Sequence, residues 1–263
     1  MASKNVQLSY LAGDSTGSFI DGGLLSMNAT NPTTHVDFAP MVVRSGSTFV
    51  SSSSTFTKKI NGLWQAGNGS FGLDTGTLVI GASYFLYALL KIADQTLDVV
   101  FSSSPTIGGV NTSLLTGYTI VKQIGVILYG SSGIRPFIMF PCDEYQFVTP
   151  VMDASNITTN ASGALLALTV PNGVKSKAKL RFMFRSPATT NSVLVHDPAK
   201  GALVAGGADA GGVAGTPQVA DGYSVGNVDV WTNTSKQVRH VAGATGSLWV
   251  FNDGFIYPCG RTA

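Results

Sequence analysis

Between residues 175 and 185 the side chains alternate. Lys175, Lys177, Lys179 and Arg181 occupy one set of positions, and Ala178, Leu180, Phe182 and Phe184 fill the positions between the later ones. A period of two is the repeat of a β-strand, so this segment predicts a half-buried strand with a basic outer face. Other β-rich runs lie at 38–43, 48–56, 84–92, 97–101, 118–129, 134–140, 165–170, 225–231, 237–242 and 247–251. Turn residues punctuate them. Residues 93–96 read as a hairpin turn joining the 84–92 and 97–101 runs. Residues 130–133 (Gly-Ser-Ser-Gly) read as the turn between 118–129 and 134–140. Asn252-Asp253-Gly254 reads as a tight turn before Phe255. The expected fold is all-β, a β-sandwich or jelly-roll-like arrangement of one or two antiparallel units with Gly/Ser-rich loops. Residues 1–60 read as an N-terminal strand-and-loop segment, packed on the main body or on a neighbouring subunit. Residues 61–263 read as the sandwich body, with a subdivision open near 150–175.

Composition narrows the picture. Of 263 residues, 44% are apolar and only 11% charged, with 31 glycines and a net charge of +2. An ordinary soluble domain carries roughly 25% charged residues. A helical bundle, a coiled coil and acidic disorder all need more charge than this. Low charge suits many strands joined by turns, and it suits a surface covered by other chains. No apolar signal region follows Met1, and the longest uncharged apolar stretch, 78–90, is shorter than the ~20 residues of a membrane helix. The chain therefore reads as a soluble product of a cytoplasm, with no membrane partner. Cys142 and Cys259 do not make a disulfide framework and are expected as two free thiols.

The candidate chemistry is sparse. Gly13-Asp14-Ser15-Thr16-Gly17 matches a nucleophile elbow, but Phe19-Ile20-Asp21-Gly22-Gly23 promises no following helix. Gly67, Gly69 and Gly72 match the spacing of a dinucleotide loop, again with no helix behind them. His35, His196 and His240 show no metal-ligand spacing, and Cys142-Asp143-Glu144 has no partner cluster. We therefore expect no catalytic residue, no cofactor and no metal. The basic strand of Lys175, Lys177, Lys179 and Arg181 is the candidate site, either for an anionic surface or for a subunit contact. No aromatic shares its face within the strand, so a base-stacking platform is not indicated and no nucleic acid partner is expected. The loops at 130–133 and 201–215 are the candidate contact loops.

Several phrases resemble a family of tailed-bacteriophage virion structural proteins. They begin with Phe19-Ile20-Asp21-Gly22-Gly23-Leu24-Leu25-Ser26, followed by Asp37-Phe38-Ala39. They continue with Trp64-Gln65-Ala66-Gly67, Gly72-Leu73-Asp74-Thr75-Gly76, Leu97-Asp98-Val99-Val100-Phe101-Ser102-Ser103-Ser104-Pro105 and Gly117-Tyr118-Thr119. Near the end come Trp231-Thr232-Asn233-Thr234-Ser235-Lys236-Gln237-Val238-Arg239 and Gly254-Phe255-Ile256 with Gly260-Arg261. The phrases keep the family's order from about residue 19 to the C-terminus. Lys122-Gln123 replaces the family's paired arginines, and Tyr257 stands where the family often has Asp. The resemblance implies a virion component made in the host bacterium. The first expectation is a tail fibre, baseplate or receptor-contacting protein that acts by binding. The alternatives are a capsid decoration or head-fibre protein and, behind both, a glycan-degrading virion enzyme. It also implies a homotrimer whose partners are further copies of itself, other virion proteins and a host surface glycan or protein.

Overall fold

The computed structural model describes residues 17–206, 216 and 219–261. Strands account for 54% of these residues and helix for 3%, so the fold is all-β. The chain divides into two compact units. Of the described residues, the first holds those of 17–134, 141–143 and 258–261, and the second those of 135–140 and 144–257. The division falls after Ile134. Residues 25–27, 35–38 and 56–63 pair into the same sheet as residues 83–91, 97–102 and 118–130.

In the first unit, β1 (Ser18–Gly22), β4 (Met41–Ser45) and β5 (Thr48–Ser52) form a three-stranded sheet. The second sheet has eight strands and curls into a half-barrel. Its members are β2 (Leu25–Met27), β3 (His35–Phe38), β6 (Phe56–Leu63), β7 (Phe71–Leu73), β8 (Ser83–Lys91), β9 (Leu97–Ser102), β10 (Tyr118–Gly130) and β11 (Gly133–Ile134). β8 and β9 pair as the expected hairpin and lie in the middle of that sheet. Residues 84–90 and 97–102 are all buried, which is why 84–90 reads as a continuous apolar run instead of an alternating one.

Five expectations need correction here. The 38–43 run is two strands in different sheets, because Ala39-Pro40 interrupts it and Pro40 has no N–H to add to a ladder. The 48–56 run also splits, where the Ser52 hydroxyl donates to the Ser54 carbonyl at 2.7 Å and turns the backbone. The 118–129/134–140 hairpin stops after two residue pairs, because the chain leaves for the second unit at Arg135-Pro136. Asn252-Asp253-Gly254 is a bulge inside a strand instead of a turn. Gly254 (φ 151°) approaches the Tyr145 carbonyl so closely that a Cβ would lie 2.0 Å from its oxygen. The pairing is also not wholly antiparallel, since β7 runs parallel to both β6 and β9.

The second unit contains β12 (Phe137–Phe140), β13 (Glu144–Thr159), β14 (Ala164–Ala167), β15 (Lys177–Arg185), β16 (Val193–His196), β17 (Tyr223–Trp231), β18 (Gln237–Ala242) and β19 (Gly246–Ile256). They make a five-stranded sheet in the order β12-β13-β19-β15-β17 and a three-stranded sheet in the order β14-β18-β16. Inward residues Ala178, Leu180, Phe182 and Phe184 join Leu248, Val250, Tyr145 and Phe255 in the core. Tyr145 stacks on Phe255 at 4.8 Å. Val193, Val195, Val238 and Ala242 of the three-stranded sheet are buried as well. β13, sixteen residues long, was not foreseen. Its sequence mixes Pro150 with Asp153, Ser155 and Asn156, and its register with β19 shifts three times, so no period of two survives.

Candidate functional site

The alternation at 177–185 folds as expected, with Ala178, Leu180, Phe182 and Phe184 inward and Lys177, Lys179, Arg181, Met183 and Arg185 outward. Lys175 is exposed just before the strand. Register then decides what the outward residues meet. On one side Lys177, Lys179, Arg181, Met183 and Arg185 lie opposite Trp231, Asp229, Asn227, Val225 and Tyr223 of β17. On the other, Arg181, Met183 and Arg185 lie opposite Phe251, Trp249 and Ser247 of β19, and Met152 of β13 lies beyond Phe251.

The outward cations are not free. Lys177 meets Asp229 at 3.3 Å, Lys179 meets Glu144, and Arg185 meets Asp221 at 3.3 Å. Arg181 donates twice to Asp253, at 2.7 and 2.8 Å. This fork holds the guanidinium, and its pKa rises because the Asp253 carboxylate bonds to it. The bulge at Asn252–Gly254 is what brings Asp253 there. Asn252 is buried and anchored, donating to the Thr169 carbonyl at 2.9 Å and to Asp153 at 3.2 Å. Four cations and four carboxylates thus alternate across the face, and no basic patch is left over among them.

Aromatic rings fill the spaces between these pairs. The Arg181 guanidinium lies 5.9 Å from the Phe251 ring and that of Arg185 6.0 Å from the Tyr223 ring. Tyr223 and Trp249 rings are 5.9 Å apart. No aromatic shares this face within β15 itself, but the neighbouring strands interleave them. Those residues were missed, and their signal was the alternation within 223–231 and 247–251. Val225 is 74% exposed, Tyr223 55%, Met152 54% and Trp231 41%. Together they form a charge-balanced face with large apolar side chains open to contact.

The remaining candidates disperse. Ser15 lies outside the described residues, as does most of the 201–215 loop. The Gly67-x-Gly69-x-x-Gly72 loop leads into strand β7, not a helix. Its backbone closes over a buried ion pair. The Gly67 carbonyl accepts from Lys58 Nζ at 3.1 Å, and the Gly67 N–H donates to Asp98 Oδ2 at 2.7 Å. Lys58 Nζ meets Asp98 Oδ1 at 2.8 Å, donates to the Gln65 carbonyl at 2.6 Å and lies 5.2 Å from the Trp64 ring. Burial lowers the Lys58 pKa against the pull of Asp98. His35 is half-buried beside the Thr34 hydroxyl at 2.8 Å. His196 and His240 are buried at positions of opposite parity in the β16–β18 ladder, hence on opposite faces.

Cys142, Asp143 and Glu144 also separate. Cys142 is exposed, Glu144 joins Lys179, and Asp143 is buried against Arg261 at 3.0 Å. The same carboxylate accepts from the Cys259 N–H at 2.6 Å, and Arg261 donates to the Ile124 and Gly22 carbonyls. The Cys259 thiol is buried, and burial pushes its pKa up. Among the described residues no three His, Cys, Asp or Glu side chains gather as a metal site, and no helix is long and apolar enough to cross a membrane. Comparisons with protein-family models, curated proteins and solved structures find no match to this chain.

Proposed function

We propose that the chain is a structural protein of a tailed-bacteriophage virion that works by contact, as a tail fibre, baseplate or receptor-contacting component. One observation supports this beyond the resemblance. The outer face of β13–β19–β15–β17 leaves Met152, Tyr223, Val225 and Trp231 open while its charges cancel in pairs. Several large apolar side chains left open on one sheet face are what an interaction site uses. The pairing of Lys177, Lys179, Arg181 and Arg185 favours a protein or a neutral glycan over an anionic surface, because Lys175 alone adds little positive field. The reading includes a homo-oligomer, for which the resemblance implies three copies.

Mass spectrometry of gradient-purified particles of the parent phage tests it. The chain is expected among the particle proteins in multiple copies, and its presence in infected cells but absence from particles would overturn the reading. Cryo-microscopy of the same particles then separates tail from capsid.

A further inference from the structure

We infer that a cleft in the first unit, built around Lys122, binds a sugar acid: a small monocarboxylate that also carries hydroxyls. The cleft stands on its own geometry, and only a host-surface glycan as the source of that ligand rests on the receptor-contacting reading above.

The cleft has a volume of about 340 Å³. That is near the lower end of the roughly 300–1,000 Å³ of ligand sites, so it suits a ligand of monosaccharide size. β1 and β4 bring Ser18 and Ser45 opposite each other, β10 brings Lys122, and Pro258 and Cys259 line the cleft from the C-terminal segment. That segment is fixed by its backbone. The Cys259 N–H donates to Asp143 at 2.6 Å, and the Gly260 carbonyl accepts from the Ile20 N–H at 3.1 Å. A Cβ at Gly260 would lie 3.4 Å from Lys122 Nζ, so the segment passes directly beside the ammonium.

The charge in the cleft is uncompensated. Lys122 Nζ donates to the Ser18 hydroxyl at 2.9 Å, and that hydroxyl gives its own proton to the Arg44 carbonyl at 3.3 Å. Ser18 therefore acts on Lys122 as an acceptor that holds the ammonium in place. An ammonium has three N–H donors, so two remain to meet the oxygens of a carboxylate. Among the described residues no carboxylate pairs with Lys122, and no Asp or Glu lines the cleft.

The rest of the lining selects the class. Pro105, Ile107, Val121 and Pro258 supply apolar wall, and Ser45 supplies a neutral hydroxyl. A pyranose ring carrying one carboxylate matches all three features, since it presents C–H groups to a wall, hydroxyls to Ser45 and one negative charge to Lys122. A phosphate or dicarboxylate brings a second negative charge with no second cation to meet it. A neutral sugar leaves Lys122 unpaired, and an aliphatic acid leaves Ser45 without a polar partner.

Isothermal titration of the purified full chain with sodium glucuronate tests this. Saturable binding is expected, with glucose and inorganic phosphate each at least tenfold weaker. Lys122→Gln keeps a donor and removes the charge, and it is expected to raise the dissociation constant for glucuronate at least tenfold with an unchanged strand spectrum. Absence of glucuronate binding overturns the inference, as does an unchanged constant in Lys122→Gln. Equal binding of phosphate, which would show a site for charge alone, overturns it too, and so does equal binding of glucose. Should Lys122→Gln fail to fold, Ile107→Asp takes its place. Ile107 is 47% exposed, and an aspartate there sets a negative charge on the wall. It is expected to weaken glucuronate at least fivefold, and an unchanged constant overturns the inference. Failure of these titrations leaves the virion reading standing, whereas absence of the chain from phage particles removes the host source and leaves the cleft.

Discussion

The Lys58–Asp98 pair of the first unit and the Arg181–Asp253 pair of the second have nearly the same length, 2.8 and 2.7 Å, and opposite surroundings. The Lys58 and Asp98 side chains are 0% and 3% exposed, whereas those of Arg181 and Asp253 are 50% and 26% exposed. In the first unit the charges are enclosed by Trp64, Phe56 and the carbonyls of Gln65 and Gly67, so they hold a loop in place. In the second, the cations lie between aromatic rings on an open sheet, where they neutralise a surface without closing it. The Lys58 pair serves internal order, and the Arg181 pair neutralises charge on an open sheet face.

Breaking the buried pairs should have the largest effect. Lys58→Ala leaves Asp98 buried without its cation and is expected to cost about 3–5 kcal/mol, read as a fall in the urea midpoint. Arg261→Ala should cost a similar amount, since it strands Asp143 and removes donors from the Gly22 and Ile124 carbonyls. Replacing both charged partners, as Lys58→Met with Asp98→Leu, should recover most of the loss, because no uncompensated charge is then buried. Equal destabilisation by the single and double variants would refute the ion-pair account of this loop.

These two pairs also mark how far the sequence could be read. The spacing of Lys175, Lys177, Lys179 and Arg181 revealed a strand and its outer face, because a local period of two carries that information. It could not reveal that Asp229, Glu144, Asp253 and Asp221 would neutralise the face. Those partners arrive from other segments through register. Asp253 reaches Arg181 only because Asn252–Gly254 bulges where its composition suggested a turn. Lys58, between Thr57 and Lys59, and Asp98, forty positions away between Leu97 and Val99, gave no local sign of being buried together. The hairpin of β8 and β9 was legible because turn and strands are contiguous. β13 was not, because its three register shifts erase any period.

A buried histidine supplies a pH-dependent contrast. Burial lowers the pKa of His240, with Arg239 adding to it, while in the unfolded chain the ring titrates near the usual value of about 6.5. Below that pH the unfolded state binds a proton that the folded state refuses, so stability falls as pH drops from about 6.5 towards the lowered folded value. Above 7 this residue contributes no slope. Urea midpoints across pH 5–8 check it, and His240→Gln should flatten the part of the slope that belongs to this residue.

On the open face the effects should be small. Arg181→Ala is expected to change stability by no more than about 1 kcal/mol, since half-exposed pairs are screened by water and salt. A loss near that of Lys58→Ala would show the face to be structural and erase the distinction between the units. The thiols give the mildest contrast. Cys142, exposed, should react with a thiol reagent within the mixing time, and Cys259, buried with a raised pKa, only on unfolding.

Amide hydrogen exchange along β17 tests the contact role of the second unit most directly. In concentrated solution the amides of residues 223–231 that point away from β15 should exchange slowly, and on dilution below the association midpoint they should speed up while the alternate amides paired with β15 stay protected. Exchange at these outward amides that does not change with concentration would contradict a self-association that uses this part of the second unit.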